Sequence, residues 1–578
     1  MWAWPLASKW VSWSFWEVVI GSKGGQGCKI GDLSALLRGW RTCGYHSTVK
    51  SKTAPFTPRP PRRSPARALL ALALTTALGG LASSAPAQTN LNATSLPTLG
   101  DTAREDLSPV LERRLGEEIM RDIKQDHDFL DDDPILEYLN AFGSGLVASY
   151  PGARGETNAD YYFFAVRDPM LNAFALPGGF IAVHSALLLA AQSESELASV
   201  MSHEIGHVAQ RHIARMLGQQ KQDALIPLAA MILAALASKG GSDAAMGVFM
   251  GGQGLQIQRQ LNFSRDAERE ADRIGFQIMS AGGYDTSGMV AFFGRMQAAS
   301  RVYSDLMPAY LRSHPLTSER ISDIQARIRE IPYRQRVDSL EFHLVRARAR
   351  VLQDESTQGR VEAGAFFDAQ LTQQSRQQQA GAQYGLAFLA LKKGELAKAQ
   401  TWLDKARGTM RPAEGAVFST GQASSDGAAM FASMALDIKL AAGQPAPVKL
   451  LALKEADQAH LRYPLSRGIA RQYADAMIVN GKLDEAARFL RDQVQLYRDE
   501  PKLHELLAKT YAAQGKIALQ HLALAESYAL SGGMLAALDQ LSIARKASDA
   551  SFYDMAVIDA RERELQARRR EEMKDAKK

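Results

Sequence analysis

Residues 193–208 read Ser-Glu-Ser-Glu-Leu-Ala-Ser-Val-Met-Ser-His-Glu-Ile-Gly-His-Val. Ser193 and Glu196 have capping-box spacing, in which each polar side chain satisfies a free backbone donor at the start of a helix. A helix is therefore predicted from this point to about Leu217. On it, His203 and His207 stand four residues apart and project from one face, so both rings reach a common ion. Glu204 points beside them, where it can take a proton from an activated water. The His-Glu-x-x-His spacing by itself occurs by chance in long chains. Here a helix cap at the right distance and apolar flanks raise its weight, and a third ligand has to be sought downstream.

A pattern completed by a third histidine needs Gly and His at later positions, which in this chain hold Gln210 and Ile213. His212 is one residue out of register and is predicted to face away from the pair, as an ordinary surface or packing histidine. No Glu lies between Glu204 and Glu268. That leaves Asp223, Asp243, Asp266 and the segment Ser264-Arg-Asp-Ala-Glu268-Arg-Glu270-Ala-Asp272-Arg-Ile-Gly275, which has helical character. Glu268 and Asp272 fall one turn apart on one face, and Glu270 points roughly opposite. The layout suits Glu268 as third ligand and Asp272 as an acceptor that orients a ligand histidine. In isolation the same segment reads as an exposed, salt-bridged helix. Beside a His-Glu-x-x-His helix, the ligand reading prevails. The expected centre is one Zn2+ per chain, in the gluzincin arrangement of two His and one Glu, with Glu204 as general base.

Together these motifs resemble the peptidase family of HtpX and the CAAX prenyl proteases. The resemblance implies a zinc metalloendopeptidase with Glu268 as the third zinc ligand. Asn172-Ala-Phe-Ala-Leu-Pro177-Gly178-Gly179 resembles the family's strand beside the cleft. By that resemblance Asn172, Pro177, Gly178 and Gly179 are substrate-binding residues, where a substrate backbone adds as another strand. Ser313-His314-Pro315, with Arg320 six residues after His314, resembles a further family motif and implies active-site roles for both. Either can stabilise an oxyanion. His314 can instead take the fourth zinc position and hold the enzyme idle until substrate displaces it. The closest branch of the family is periplasmic and acts as protease and chaperone in outer-membrane protein assembly. The implied partners are unfolded or misassembled envelope proteins and the outer-membrane assembly machinery.

Outward from this core, the 578 residues are too many for one hydrophobic core. Residues 1–87 read as a leader. Arg59, Arg62, Arg63 and Arg67 precede the uncharged run from Ala68 to Leu81, and Ala85-Pro86-Ala87 gives a small-x-small cleavage site, which predicts export to the periplasm with a cut near Ala87. Residues 1–48 hold six of the seven Trp residues and both cysteines, and do not fit a signal. That part is consistent with a start codon assigned too far upstream, with Val49 as an alternative initiator. The formal charge of +6 belongs to the leader, because residues after 87 carry 57 basic and 60 acidic side chains. No nucleic-acid partner follows from it. With no cysteine after the predicted cut, a metal site must use His, Asp and Glu.

Residues 88–101 read as a linker and residues 102–335 as the metalloprotease domain, mostly helical. Within it, residues 161–166 and 174–183 are predicted as short strands, the latter around a Pro-Gly turn. Residues 224–237 are apolar but interrupted by Pro227, and read as a buried hairpin, a mobile cover or a peripheral membrane contact. From 336 to 546 the strands cease. Gly394, Gly481, Gly515 and Gly533 each separate two amphipathic segments, and Gly481 and Gly515 are 34 residues apart. That is the tetratricopeptide (TPR) period, in which helix pairs stack because neither buries its apolar face alone. Such an array offers a concave surface to a protein partner. Residues 547–578 read as a charged helix or tail. The expected class is mostly α: a gluzincin-type helical protease domain with a small sheet, then an α-helical TPR-like solenoid.

Overall fold

The computed structural model describes residues 107–218, 265–302, 309–372, 375–411 and 427–575. The predicted leader, the linker and residues 224–237 lie outside the described residues.

Helix α1 (Pro109–Gln125) starts where Ser108 accepts from the Leu111 N–H, and α2 (Asp133–Ser149) where Asp132 accepts from Ile135. Both carry a proline in the first turn, where no backbone donor is needed. Three strands follow: β1 (Tyr162–Val166), β2 (Ala173–Leu176) and β3 (Phe180–His184). Their order is β1-β3-β2, with β1 parallel and β2 antiparallel to β3. The sheet is covered on both faces. Phe163, Ala165, Ile181 and Val183 join the core under α2, while Phe164, Val166, Phe180 and Ala182 pack on Ile119, Met120 and Ile123 of α1. This period of two, apolar on both sides, explains why β1 and β3 read as continuous hydrophobic runs. Among the described residues β2 is left as an edge strand.

The remaining elements of this part are α3 (Ser185–Ala190), α4 (Glu194–Ala209), α5 (His212–Gly218), α6 (Arg265–Ala281), α7 (Ser287–Val302), α8 (Ala309–Ser313) and α9 (Ser318–Ile328). Ser193 Oγ accepts from Glu196 N–H to cap α4. Glu196 returns the bond one residue earlier, to the Gln192 N–H, and pairs with Arg295. The helix predicted to reach Leu217 instead breaks after Ala209. Arg211 takes a left-handed φ of 52°, and its guanidinium turns inward to the Leu107 carbonyl and the Glu112 carboxylate. α6 crosses α4 closely because glycines stand at the contact. A Cβ on Gly275 would lie 3.0 Å from His203 N, and one on Gly206 2.8 Å from Ala271 O. That approach sets Glu268 and Asp272 beside the α4 histidines.

Beyond residue 335 every described element is helical: α10 (Leu340–Gln353), α11 (Thr357–Gln370), α12 (Arg376–Lys392), α13 (Leu396–Met410), α14 (Ala428–Leu440), α15 (Ala446–Arg462), α16 (Arg467–Val479), α17 (Leu483–Leu496), α18 (Pro501–Ala513), α19 (Ile517–Leu530), α20 (Met534–Lys546) and α21 (Phe552–Asp575). One hydrophobic core runs across residue 335, from Leu130 through Phe342 and Tyr384 to Ile438. Polar ties add to it. Arg348 of α10 grips the Asp132 cap of α2 at 2.7 and 2.8 Å, and Glu137 of α2 accepts from Ser466 and from the Gly468 N–H.

Beyond residue 335, four described inter-helix turns share one geometry. Glu395 N–H donates to Ala390 O, Lys482 to Met477, Lys516 to Tyr511 and Gly533 to Tyr528, at 2.8–2.9 Å. This six-residue closure needs a left-handed residue just past the helix end. Gly394, Gly481 and Gly515 fill that position. In the fourth turn it is Gly532, with φ 84°, not Gly533 as the sequence suggested; Gly533 caps α20. The charged last helix, α21, buries Ile558 and Leu565 against α20. No helix among the described residues is long and apolar enough to cross a membrane.

Candidate metal centre

Side chains from α4, α6 and the turn after α8 meet in the interior. One ligand atom each of His203, His207, Glu268 and His314 lies within 4.8 Å of the others, and all four residues are buried. His203 Nε2 is 3.0 Å from His207 Nε2 and 3.3 Å from His314 Nδ1. Glu268 Oε1 lies 2.9 Å from His314 Nδ1 and 3.4 Å from His207 Nε2, and Oε2 lies 3.4 Å from His203 Nε2. Three imidazole nitrogens this close cannot satisfy one another, because each neutral ring has a single N–H to give. A small cation satisfies all three together with the carboxylate. The donor set is nitrogen and oxygen without sulfur, which zinc accepts in four-coordinate sites.

Each ligand is held from behind. Asp272 Oδ1 lies 3.0 Å from His203 Nδ1, the nitrogen turned away from the cluster. Arg320 in turn grips both Asp272 oxygens, at 2.6 and 2.7 Å. Its remaining terminal nitrogen reaches Glu268 Oε2 at 2.8 Å and the Pro315 carbonyl at 2.9 Å. This corrects the expectation that Arg320 stabilises an oxyanion. Thr317 caps α9 through the Arg320 N–H, which starts the helix with Arg320 facing α6, and its donors are engaged by two carboxylates and a carbonyl. Arg320 is a clamp on the site's acids.

The electrostatics follow from this packing. Burial disfavours the charged form of His203, but Asp272 and Glu268 outweigh it and raise its pKa to about 9 before a cation enters. For His207 burial prevails and holds the ring neutral, well below the usual histidine range. Burial also works against ionised Glu268, yet His314, His203 and His207 keep it well below the usual carboxylate range. Asp272 is lowered too, by Arg320 and His203 against burial. Glu204 differs: burial raises its carboxyl, and His314 and His203 only partly offset this. Its Oε1 is 3.5 Å from His314 Nε2, and the Ala175 N–H of β2 points to the same carboxylate.

His212 also needs correcting. It is buried, and its Nδ1 lies 2.8 Å from His207 Nδ1. The break at Arg211 swings it back under the ligand pair, which an unbroken helix would not do. Its Nε2 meets Glu270 Oε2 at 3.0 Å, and Glu270 also takes Arg215 at 2.6 Å. The hydrogen bond from His212 leads in holding Glu270 down at about 2, against burial and with Arg215 adding to it. Glu270 does point away from the ligand atoms, but toward His212 and not into open solvent. Tyr310, which sequence reasoning missed, stacks on His314 with ring centres 4.7 Å apart and accepts the His314 N–H through its carbonyl. Its spacing of four residues before His314 was the available signal.

The family-implied strand divides into two parts. Asn172 immediately precedes edge strand β2, and its carbonyl accepts from His184 N–H. Alternation along the strand therefore turns the N–H and C=O of Ala173 and Ala175 to the edge that no strand among the described residues pairs, on the side of Glu204. Pro177, Gly178 and Gly179 do not line that edge, which corrects their assignment as substrate-binding residues. They form the β2–β3 turn packed against α1. Arg113 donates to the Gly178 carbonyl at 2.9 Å, and Cβ atoms at Gly178 and Gly179 would collide with Arg113 Cα and Asp160 O. With φ of 76° and 89°, both glycines are required by the turn itself.

Comparison with known proteins agrees in kind with this arrangement. The model of peptidase family M48 matches residues 139–328. The beta-barrel assembly-enhancing protease of Escherichia coli is 30% identical over 474 residues, 81% of this chain and 91% of that protein. The protein of the same name from Yersinia pestis is 29% identical over 470 residues, 81% and 90% of the two chains. A Vibrio cholerae protein provisionally given the same name is 39% identical over 256 residues, 44% of this chain and about half (51%) of its own length. The mitochondrial metalloendopeptidase OMA1 of Schizosaccharomyces pombe is 26% identical over 231 residues, 38% of this chain and 64% of that one.

Proposed function

This chain belongs to peptidase family M48 and is a zinc metalloprotease, and we propose that His203, His207, Glu268 and His314 hold one ion per chain while Glu204 carries the proton. The observation that carries this reading is the convergence of three imidazole nitrogens and a carboxylate in a water-poor interior. Bound there, zinc supplies Lewis-acid polarisation of a peptide carbonyl and of water. The protein does the rest. Asp272 and Arg320 fix the ring of His203. Glu204, its carboxyl raised by burial, accepts a proton from the attacking water and returns it to the leaving amine. The free edge of β2, at Ala173 and Ala175, aligns a substrate backbone as an added strand beside Glu204. His314 would be the fourth residue holding the ion in the resting enzyme, since its Nδ1 faces the cluster and Tyr310 holds the ring there, and it would give up that place when water and substrate enter.

The names of the relatives suggest the setting. Those names point to β-barrel assembly, and with the export signal read in residues 59–87 this makes unfolded or misassembled envelope proteins the substrates and the periplasm the place of action. The helix pairs from α12 to α20 serve as a TPR-like surface for the assembly machinery. Their extent also favours a second reading, in which chaperone activity leads and proteolysis is secondary.

Purified chain starting at Gln88 is expected to contain one zinc and to cleave casein, with cleavage lost to a chelator and restored by zinc. Glu204→Gln is expected to lower the cleavage rate at least a hundredfold with zinc content unchanged. Retention of outer-membrane assembly by the same variant selects the second reading. A chain that binds no zinc, or a Glu204→Gln variant that cleaves normally, refutes the mechanism.

A further inference from the structure

The two α4 histidines are held from behind in different ways. His203 meets a carboxylate directly, at Asp272, in a fully buried arrangement sealed by Arg320. His207 meets another imidazole. Its Nδ1 lies 2.8 Å from His212 Nδ1, His212 Nε2 lies 3.0 Å from Glu270 Oε2, and Arg215 closes the line at 2.6 Å. The line runs from the core to the surface: His207 and His212 are buried, whereas Glu270 and Arg215 are 37% and 43% exposed.

Valence gives this line a direction. A carboxylate paired with a guanidinium only accepts, so His212 donates from Nε2. A neutral His212 that donates from Nε2 carries its lone pair on Nδ1. The short Nδ1–Nδ1 contact then requires the proton to sit on His207. His207 with its proton on Nδ1 presents the Nε2 lone pair to His203, Glu268 and His314. The opposite tautomer of His207 would put two lone pairs face to face at 2.8 Å, and the opposite tautomer of His212 would turn its Nε2 lone pair against the Glu270 carboxylate at 3.0 Å. The backbone is built for this contact. In a continuous helix His212, five residues on, would stand about 140° around the axis from His207. The left-handed Arg211 removes that separation, and its side chain is anchored by Leu107 O and Glu112.

We infer that His212 and Glu270 are positioning residues that fix the tautomer and orientation of His207 for the metal, through a proton-ordered line that ends in the surface pair Glu270–Arg215. The inference rests on the metallopeptidase reading above and extends it to the second coordination sphere of one ligand.

Zinc affinity of the purified chain, measured by competition with a chromophoric chelator, tests it independently of catalysis. His212→Phe keeps a ring in the packing but removes the acceptor, and is expected to weaken zinc binding about 10–100-fold. His212→Asn places an oxygen acceptor near the Nδ1 position, and is expected to stay within about threefold of the parent chain, on the same view of the acceptor's role. Cobalt-loaded His212→Phe should show a shifted visible ligand-field spectrum and His212→Asn the parent's. Equal loss in both variants, or loss in neither, overturns the inference. If His212→Phe does not fold, the surface variant Glu270→Ala decides: several-fold weaker zinc binding with an unchanged melting temperature in chelator is expected, and unchanged affinity overturns the proposal. A parent chain that binds no zinc overturns the metallopeptidase reading itself. Normal zinc binding by the parent with no effect of His212→Phe overturns only the line through His212.

Discussion

Helices α4 and α18 are similar in length, 16 and 13 residues, yet they are built on opposite logic. Every residue of α4 is buried, including Glu194, Glu196, His203, Glu204 and His207. In α18 only Leu503, Leu507, Ala508, Thr510 and Tyr511 are buried, a stripe at the i, i+4, i+7 spacing that leaves the other face in water. A stripe needs only an apolar neighbour, and successive repeats supply one another's. Burying a helix on all sides, with its polar groups, needs a specific partner for each group, drawn from distant parts of the chain or from beyond a break in the helix. At α4 these are Arg295 for Glu196, Asp272 for His203 and His212 for His207. One region is therefore specified by period and the other by pairing.

The sharpest way to break the contrast is to remove a partner at the centre. Arg320→Leu leaves Asp272 and Glu268 buried without their cation, and is expected to lower stability by about 3–5 kcal/mol in urea unfolding with chelator present. A loss below about 1 kcal/mol would mean that the centre tolerates unpaired charge and is no different from the repeats. At the repeat turns the expected effect is smaller and uniform. Gly481→Ala and Gly515→Ala each force a side chain into a left-handed φ near 75°, yet a Cβ at either site meets nothing within 4 Å. Each is expected to cost about 1–2 kcal/mol, from backbone strain alone, and to leave zinc affinity unchanged. Unequal losses would show that the two turns are not equivalent.

The gentlest probe is pH, at the seam between the regions. His343 of α10 is lowered to about 4, by burial first and then by Arg346. The unfolded chain therefore takes up a proton near pH 6.5 that the folded chain refuses until about pH 4. This contribution to stability is complete above pH 6.5 and is lost as pH falls from 6.5 toward 4, by at most about 1.4 kcal/mol per pH unit. His343→Gln is expected to flatten that part of the curve, measured as urea midpoints from pH 7 to pH 4.5. An unaltered slope would place the seam's acid sensitivity elsewhere.

Much of this was legible in the residue order. His203, His207 and Glu268 converge with His314, Glu204 lies beside His314, β1, β2 and β3 fall on the predicted runs, and three of the four turn glycines sit at the anticipated positions. These signals are local: a spacing on one helix, an alternation on one strand, a glycine past one helix end. The roles that were misassigned all depend on contacts between distant segments. Arg320 looked like a group for an oxyanion, because nothing near residue 320 announces that Asp272 and Glu268 will absorb its donors. Pro177-Gly178-Gly179 looked like a binding loop until α1 was seen against it.

The sequence by itself determined which chemistry the chain can carry, because ligand type and helical spacing are properties of neighbours along one backbone. Only the tertiary structure decided which groups hold that chemistry in place. His212 shows the reason most directly: one left-handed residue at Arg211 redirects the chain, and a histidine whose register faced it outward comes to lie against His207. Side-chain direction after a helix break is set by what the break packs against, here Leu107 and Glu112 about a hundred residues earlier in the chain.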